Sequence, residues 1–240
     1  MRKDPCCHSC CLSGVSRRSF MAASAGAFAA PLAAAPAAED SGNLAEQVDL
    51  ASFRPRPRVR IMSAVIRLKP PYWLGWPGTA YPIEAERDRY GRVFADLAAK
   101  VGVELETEAA PLESDDEVAA YIAKVKDRGP QAVFVMLQHM SAWRWADAFA
   151  KAGIPTIFFA PVGMAFTGHV REISRRPGVH VISSLDTNAV EQAFRMVRAK
   201  EQLAATRLLV VAGGARQETV MDRLGTKIRY VPRARLNELF

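Results

Sequence analysis

Past residue 11 the sequence has no cysteine. All four, Cys6, Cys7, Cys10 and Cys11, lie near its start with His8 among them. The body of the chain therefore has no disulfide framework and no Cys-x-x-Cys centre, and core packing must hold it together. Long apolar runs are also missing. Beyond residue 37 nothing approaches the ~18 consecutive apolar residues of a membrane helix, so no stable span is expected there. Gly-x-Ser-x-Gly, His-Glu-x-x-His and Walker A signatures are absent from the body as well. Charge of one sign is modest. The formal net charge is +7, and residues 1–37 hold Arg2, Lys3, Arg17 and Arg18 against Asp4, a net of +3, which leaves +4 (7 − 3). So small and scattered an excess points to no nucleic-acid partner.

What is present begins with an export signal. Ser16-Arg17-Arg18-Ser19-Phe20-Met21 fits the twin-arginine pattern, without the Lys that usually follows. An Ala-rich, weakly apolar stretch over residues 21–32 comes next, broken by Gly26 and Pro31, and then small-residue cleavage sites at Ala33-Ala34-Ala35 and Ala35-Pro36-Ala37. Residues 1–37 thus read as a twin-arginine signal peptide. The expected partner is the twin-arginine export machinery, and the expected location is the periplasm or another extracytoplasmic space. The cysteine cluster precedes the signal core, so cleavage would discard it; the alternative is a soft-metal site. Residues 38–58 are polar and Pro-rich, ending in Arg54-Pro55-Arg56-Pro57-Arg58, and read as a linker because alternating proline blocks helix and sheet.

Half of the residues are hydrophobic and 24% charged, an ordinary globular composition. The roughly 200 residues left after export suffice for a sizeable core. From residue 59 short β-branched runs alternate with longer amphipathic stretches. Strands are expected over residues 59–68, 103–110, 132–137, 154–160, 179–185, 208–212 and 227–231. Helices are expected over 81–101, from the Ser114/Glu117 capping box to Arg128, from Ser141 to before Gly153, and from Asp186 or Thr187 to about Ala204. That rhythm predicts a doubly wound parallel α/β sheet, flavodoxin-like with strand order 2-1-3-4-5, over residues 59–205. Residues 206–240 read as the beginning of a second α/β domain, cut short. Asp115-Asp116-Glu117 has the look of a metal cluster but opens a helix, where acids stabilise the dipole.

In such a sheet ligands bind outside the carboxyl ends of the strands, here between strands one and three. Lys69, Trp73 and Trp76 follow the first, and Gln138, His139, Trp143, Arg144 and Trp145 follow the third. All four tryptophans fall near one crevice. Aromatic faces suit the apolar face of a sugar ring, with Lys69, Gln138 and His139 placed to orient hydroxyls; the alternative is that Trp145 packs in the core and the others cover a sheet end. A second candidate is the long loop over residues 161–178, with Gly163, Thr167, Gly168, His169, Arg171, Arg175 and Arg176. Gly213-Gly214 reads as a tight βα turn and lacks the dinucleotide fingerprint.

Several short stretches carry a family resemblance: Trp73-Leu74-Gly75-Trp76-Pro77-Gly78, Gly153-Ile154-Pro155-Thr156, Ala160-Pro161-Val162-Gly163 with Phe166-Thr167-Gly168-His169, Arg175-Arg176-Pro177-Gly178, and Leu224-Gly225-Thr226-Lys227. On these the chain resembles the N-terminal region of the L-fucose/L-arabinose isomerase-like family, in its exported, twin-arginine-bearing form. The resemblance implies a flavodoxin-like first domain that helps close the substrate pocket of a neighbouring subunit, which allows a homo-oligomer. It implies no cofactor in this chain, with Mn2+ or another divalent metal held by Glu, Asp and His of later domains. The function expected is the substrate-gating region of a sugar isomerase, catalytically incomplete in itself. Its substrate-binding residues would be Lys69, Trp73, Trp76, Gln138, His139, Trp143, Thr167 and His169. The alternatives are a periplasmic sugar-binding module and a vestigial domain without ligand.

Overall fold

The structure is a computed structural model that describes residues 50–71, 80–161 and 163–238. The expected export signal, the cysteine cluster, the first part of the expected linker, Trp73 and Trp76 lie outside the described residues.

Arg60–Ile66 forms β1, and all but its first residue are buried. Glu104–Thr107 forms β2, Ala132–Leu137 β3, Thr156–Ala160 β4 and Val179–Ser183 β5. They build one parallel sheet in the order β2-β1-β3-β4-β5, the doubly wound arrangement that the alternating pattern predicts. β3, continuously apolar in sequence, is buried along its whole length, because helices cover both faces of a parallel sheet.

On one face lie α1 (Ile83–Val101) and α5 (Asn188–Ala205). Their apolar stripes meet the odd-numbered residues of β1. Tyr90 and Phe94 of α1 and Phe194 of α5 close on Ile61, Val65, Phe134 and Phe159. Phe94 packs edge-on against Phe134 and Phe159, with centroids 4.8 and 5.2 Å apart, and Phe134 does the same with Phe194 at 5.3 Å. Each such side chain contributes about 1.5–3 kcal/mol by leaving water. The other face carries α2 (Asp115–Arg128), α3 (Trp143–Lys151) and α4 (Thr167–Ile173), packed on Met62, Ala64, Ile66, Val133 and Val135.

The helix ends follow local chemistry. Ser114 and Glu117 make the capping box, each side chain taking the other's backbone N–H. Asp115-Asp116-Glu117 is thus the first turn of α2. α1 closes on Gly102 and α2 on Gly129, both left-handed, with φ 75° and 55°.

Four expectations are corrected. The cap before α3 is His139, whose Nδ1 accepts the N–H of Ser141 and opens a short 3-10 turn, Met140–Ala142. The loop over residues 161–178 contains α4, because its flanking glycines and prolines conceal a short helix. β2 stops at Thr107, after which the chain touches β1 again only through the Ile66–Leu112 bridge. Gly213-Gly214 leads to no helix; the next element is a strand.

That strand, β7 (Gln217–Val220), joins β6 (Arg207–Val211) and β8 (Lys227–Val231) in a second sheet of order β6-β8-β7. β8 pairs parallel to β6 and antiparallel to β7. Leu208 and Leu209 are both exposed. Successive strand residues point to opposite faces, so the first half of β6 is open on each side. A short helix, α6 (Arg233–Asn237), follows. Among the described residues no helix is long and apolar enough to cross a membrane.

Candidate functional site

The carboxyl ends of β1 and β3 hold a buried polar cluster. Arg67, immediately after β1, is 5% exposed. Its guanidinium reaches Glu84 of α1 at 2.6 Å and Glu113 at 2.7 Å. Burial pushes the Arg67 pKa down, but the hydrogen bonds and charges of the two carboxylates outweigh it and hold the pKa above its ordinary value. Glu84 also takes Arg87 at 2.9 Å, so one carboxylate bridges two guanidiniums. Beside this network Gln138, fully buried, donates from Nε2 to the Ile83 carbonyl at 2.9 Å. Arg67 and Gln138 together fix the first turn of α1, and with it the end of the β1–α1 connection. Arg67 is the residue that sequence reasoning passed over. Its signal was available, since it is the one charge at the carboxyl end of an otherwise apolar strand.

His139 is also buried, and its ring nitrogen is engaged in the cap before α3. Burial holds its pKa below the ordinary histidine value, which favours the neutral ring that capping requires. Lys69 is exposed just beyond β1 and joins none of these contacts.

Trp143 and His169 are brought together. Trp143, first residue of α3, is 5% exposed and donates from Nε1 to the Met164 carbonyl at 2.6 Å. This bond ties α3 to the turn before α4. His169 on α4 then stacks on the indole at a centroid distance of 5.6 Å and an interplanar angle of 22°. Phe166 tilts against the same imidazole at 6.0 Å. These rings, with Met140, Ser141 and Arg144, line a surface cleft of about 460 Å³. Arg144 lies over the Trp145 ring at 4.5 Å and 3.5 Å from Asp115. Trp145 itself is buried and donates its N–H to Asp115, so it belongs to the core of this face. Thr167 is exposed at the start of α4, next to Phe166 but outside the cleft lining. Nδ1 of His169 is buried without a hydrogen-bond partner, an arrangement native structures mostly avoid.

Chemically the cleft offers aromatic faces, a hydroxyl, a guanidinium and an imidazole edge. That set suits a small neutral ligand with an apolar face and a polar edge. Among the described residues no group of three His, Cys, Asp or Glu gathers that could hold a metal ion.

No protein-family model matches the chain, and no curated protein matches it.

Proposed function

We propose that this chain is the substrate-gating, flavodoxin-like region of an exported sugar isomerase-like protein, and that it takes a sugar in the cleft between α3 and α4. The observation that carries the reading is the ring stack of Trp143 on His169, with Phe166 beside it, at the carboxyl ends of the strands. A sugar laid beside these rings would bury the face rich in C–H groups, while Ser141 and Arg144 meet its hydroxyls. Arg67 and Gln138 act as positioning residues for the neighbouring β1–α1 connection. In this reading the proton transfers of isomerisation need a metal and acid–base groups supplied by other parts of the protein.

The lining of the cleft comes from one stretch of this chain, residues 140–169. That favours a second reading, a free-standing sugar-binding module, in which binding by this chain is the whole activity.

Titration of the 240-residue chain with L-fucose, L-arabinose and glycerol, followed by tryptophan fluorescence and calorimetry, tests both. The expected result is saturable binding of a sugar at roughly 0.1–10 mM, weakened about tenfold by Phe166→Ala and by His169→Ala, with glycerol inert. No saturable signal with any sugar, or equal binding by both variants, sinks the reading. Conversion of a bound aldose to its ketose by this chain alone would overturn the catalytically incomplete assignment.

A further inference from the structure

A second cavity lies on the opposite face of the sheet, between α1 and the β2 edge. Its volume is about 450 Å³, within the range of small-molecule sites. The floor follows from strand register. Ser63 pairs with Thr107 of β2 on one side and with Phe134 of β3 on the other, and Val65 pairs with Met136. These residues share the α1 side of the sheet, and Phe94 of α1 completes an apolar floor with two hydroxyls at its edge.

The wall is the α1 turn carrying Arg87, Asp88, Gly91 and Arg92. Gly91 is out of place there. A glycine inside a helix costs about 1 kcal/mol relative to alanine. Neither strain nor crowding requires one, since its backbone is helical and an added Cβ would meet nothing within 4 Å. What its missing side chain does is leave the cavity open against the helix backbone.

The charges at the mouth are unequal. Asp88 is paired with Arg87 at 3.3 Å, and Glu108 with Lys124 at 2.5 Å. Arg92 has no ion-pair partner among the described residues. Among the described residues one uncompensated guanidinium therefore stands over an apolar floor. Such a group takes a carboxylate through paired N–H donors.

We propose that this cavity is a second ligand site, distinct from the sugar cleft, and that it binds a monocarboxylate with an apolar body. The carboxylate sits on Arg92, the body lies over Val65, Ala109 and Pro111, and the space beside Gly91 admits it. The proposal does not depend on the sugar reading, because the two clefts use different helices and opposite sheet faces.

The test uses the 240-residue chain, with 4-phenylbutyrate as probe and 4-phenylbutanol as its neutral counterpart, followed by calorimetry. Expected is saturable binding of 4-phenylbutyrate below about 10 mM, with the alcohol at least about tenfold weaker. Arg92→Gln, a surface change, should weaken the acid by about tenfold and leave the alcohol unchanged. Gly91→Leu should abolish binding of both while leaving the melting temperature equal or higher, since leucine is the better helix former. Equal affinity for acid and alcohol, full binding by either variant, or no saturable binding at all would overturn the proposal. So would a dimer in sedimentation that Gly91→Leu disperses, because the cavity would then belong to a second copy.

Discussion

The indole of Trp143 and the imidazole of His169 lie nearly parallel, 22° apart, on two different helices. Trp143 has a second tie, its N–H on the Met164 carbonyl. The two substitutions at this pair should therefore differ. Trp143→Phe keeps a ring for stacking but leaves a buried carbonyl without its donor, at a cost of about 1–3 kcal/mol. His169→Ala loses mainly the stack, about 0.5–1.5 kcal/mol. Urea denaturation of both variants measures the difference, and an equal or reversed order would show that the hydrogen bond contributes little.

Tyr121 of α2 is buried against Phe149, and its hydroxyl has no hydrogen-bond partner. Burial, followed by the charges of Glu108 and Glu106, raises its pKa far above the ordinary tyrosine value. Tyr121→Phe removes a polar group that gains nothing by being inside. The variant should be as stable as the parent or more stable by up to about 1 kcal/mol. A clear loss of stability in thermal unfolding would mean that the hydroxyl is bonded in solution.

Ser114→Ala deletes one half of the capping box that opens α2. The expected loss is about 1 kcal/mol, and Ser114→Asp should restore most of it. The Glu117 pKa is lowered chiefly by the backbone N–H of Glu113, outside the box, and then by Ser114. Carbon-13 titration of that carboxylate should find it moved back toward the ordinary value in Ser114→Ala.

Glu191 of α5 receives Lys100 of α1 at 2.7 Å and Arg195 of its own helix at 2.6 Å. The hydrogen bonds from Lys100 and Arg195 lower its pKa. The unfolded chain therefore takes up this proton at higher pH than the folded one. The stabilisation is complete above the ordinary Glu value of about 4.3 and is lost as pH falls through the lower folded value. Glu191→Gln should be less stable than the parent at neutral pH, with the gap narrowing below about pH 4. A gap that stays constant down to pH 3 would show that the pair is not what the substitution removes.

Much of the strand pattern was legible in the sequence because β3 and β8, in the two sheets, are short runs whose bounds coincide with a change of composition. α2 announced itself through Ser114 and Glu117, and its Gly129-Pro130 stop is equally local. The misreadings share a cause. His139 and Ser141 are both competent acceptors two residues apart, and only packing decides which one caps. β7 carries a single apolar residue, Val220, and is exposed throughout, so no alternation marks it. Trp143 and Trp145 look alike in sequence, yet one helix rotation sends Trp145 to Asp115 and Trp143 to His169. Arg67 was overlooked because a charge beside an apolar strand reads as its end; its two carboxylates come from distant segments that only the topology brings near.

The interior position of β1, between β2 and β3, has a bearing on how the chain assembles. Arg60 pairs with Glu104 and Ile61 with Ala132, so β1 finds its two neighbours only after long intervening stretches have been made. Until β3 emerges from the ribosome, a nearly continuous apolar ribbon is paired along one edge at most. Closing such loops before any contact rewards them makes folding slow and leaves the ribbon open to strangers. Early chaperone capture of the nascent chain should therefore end sharply once residue 137 clears the exit tunnel.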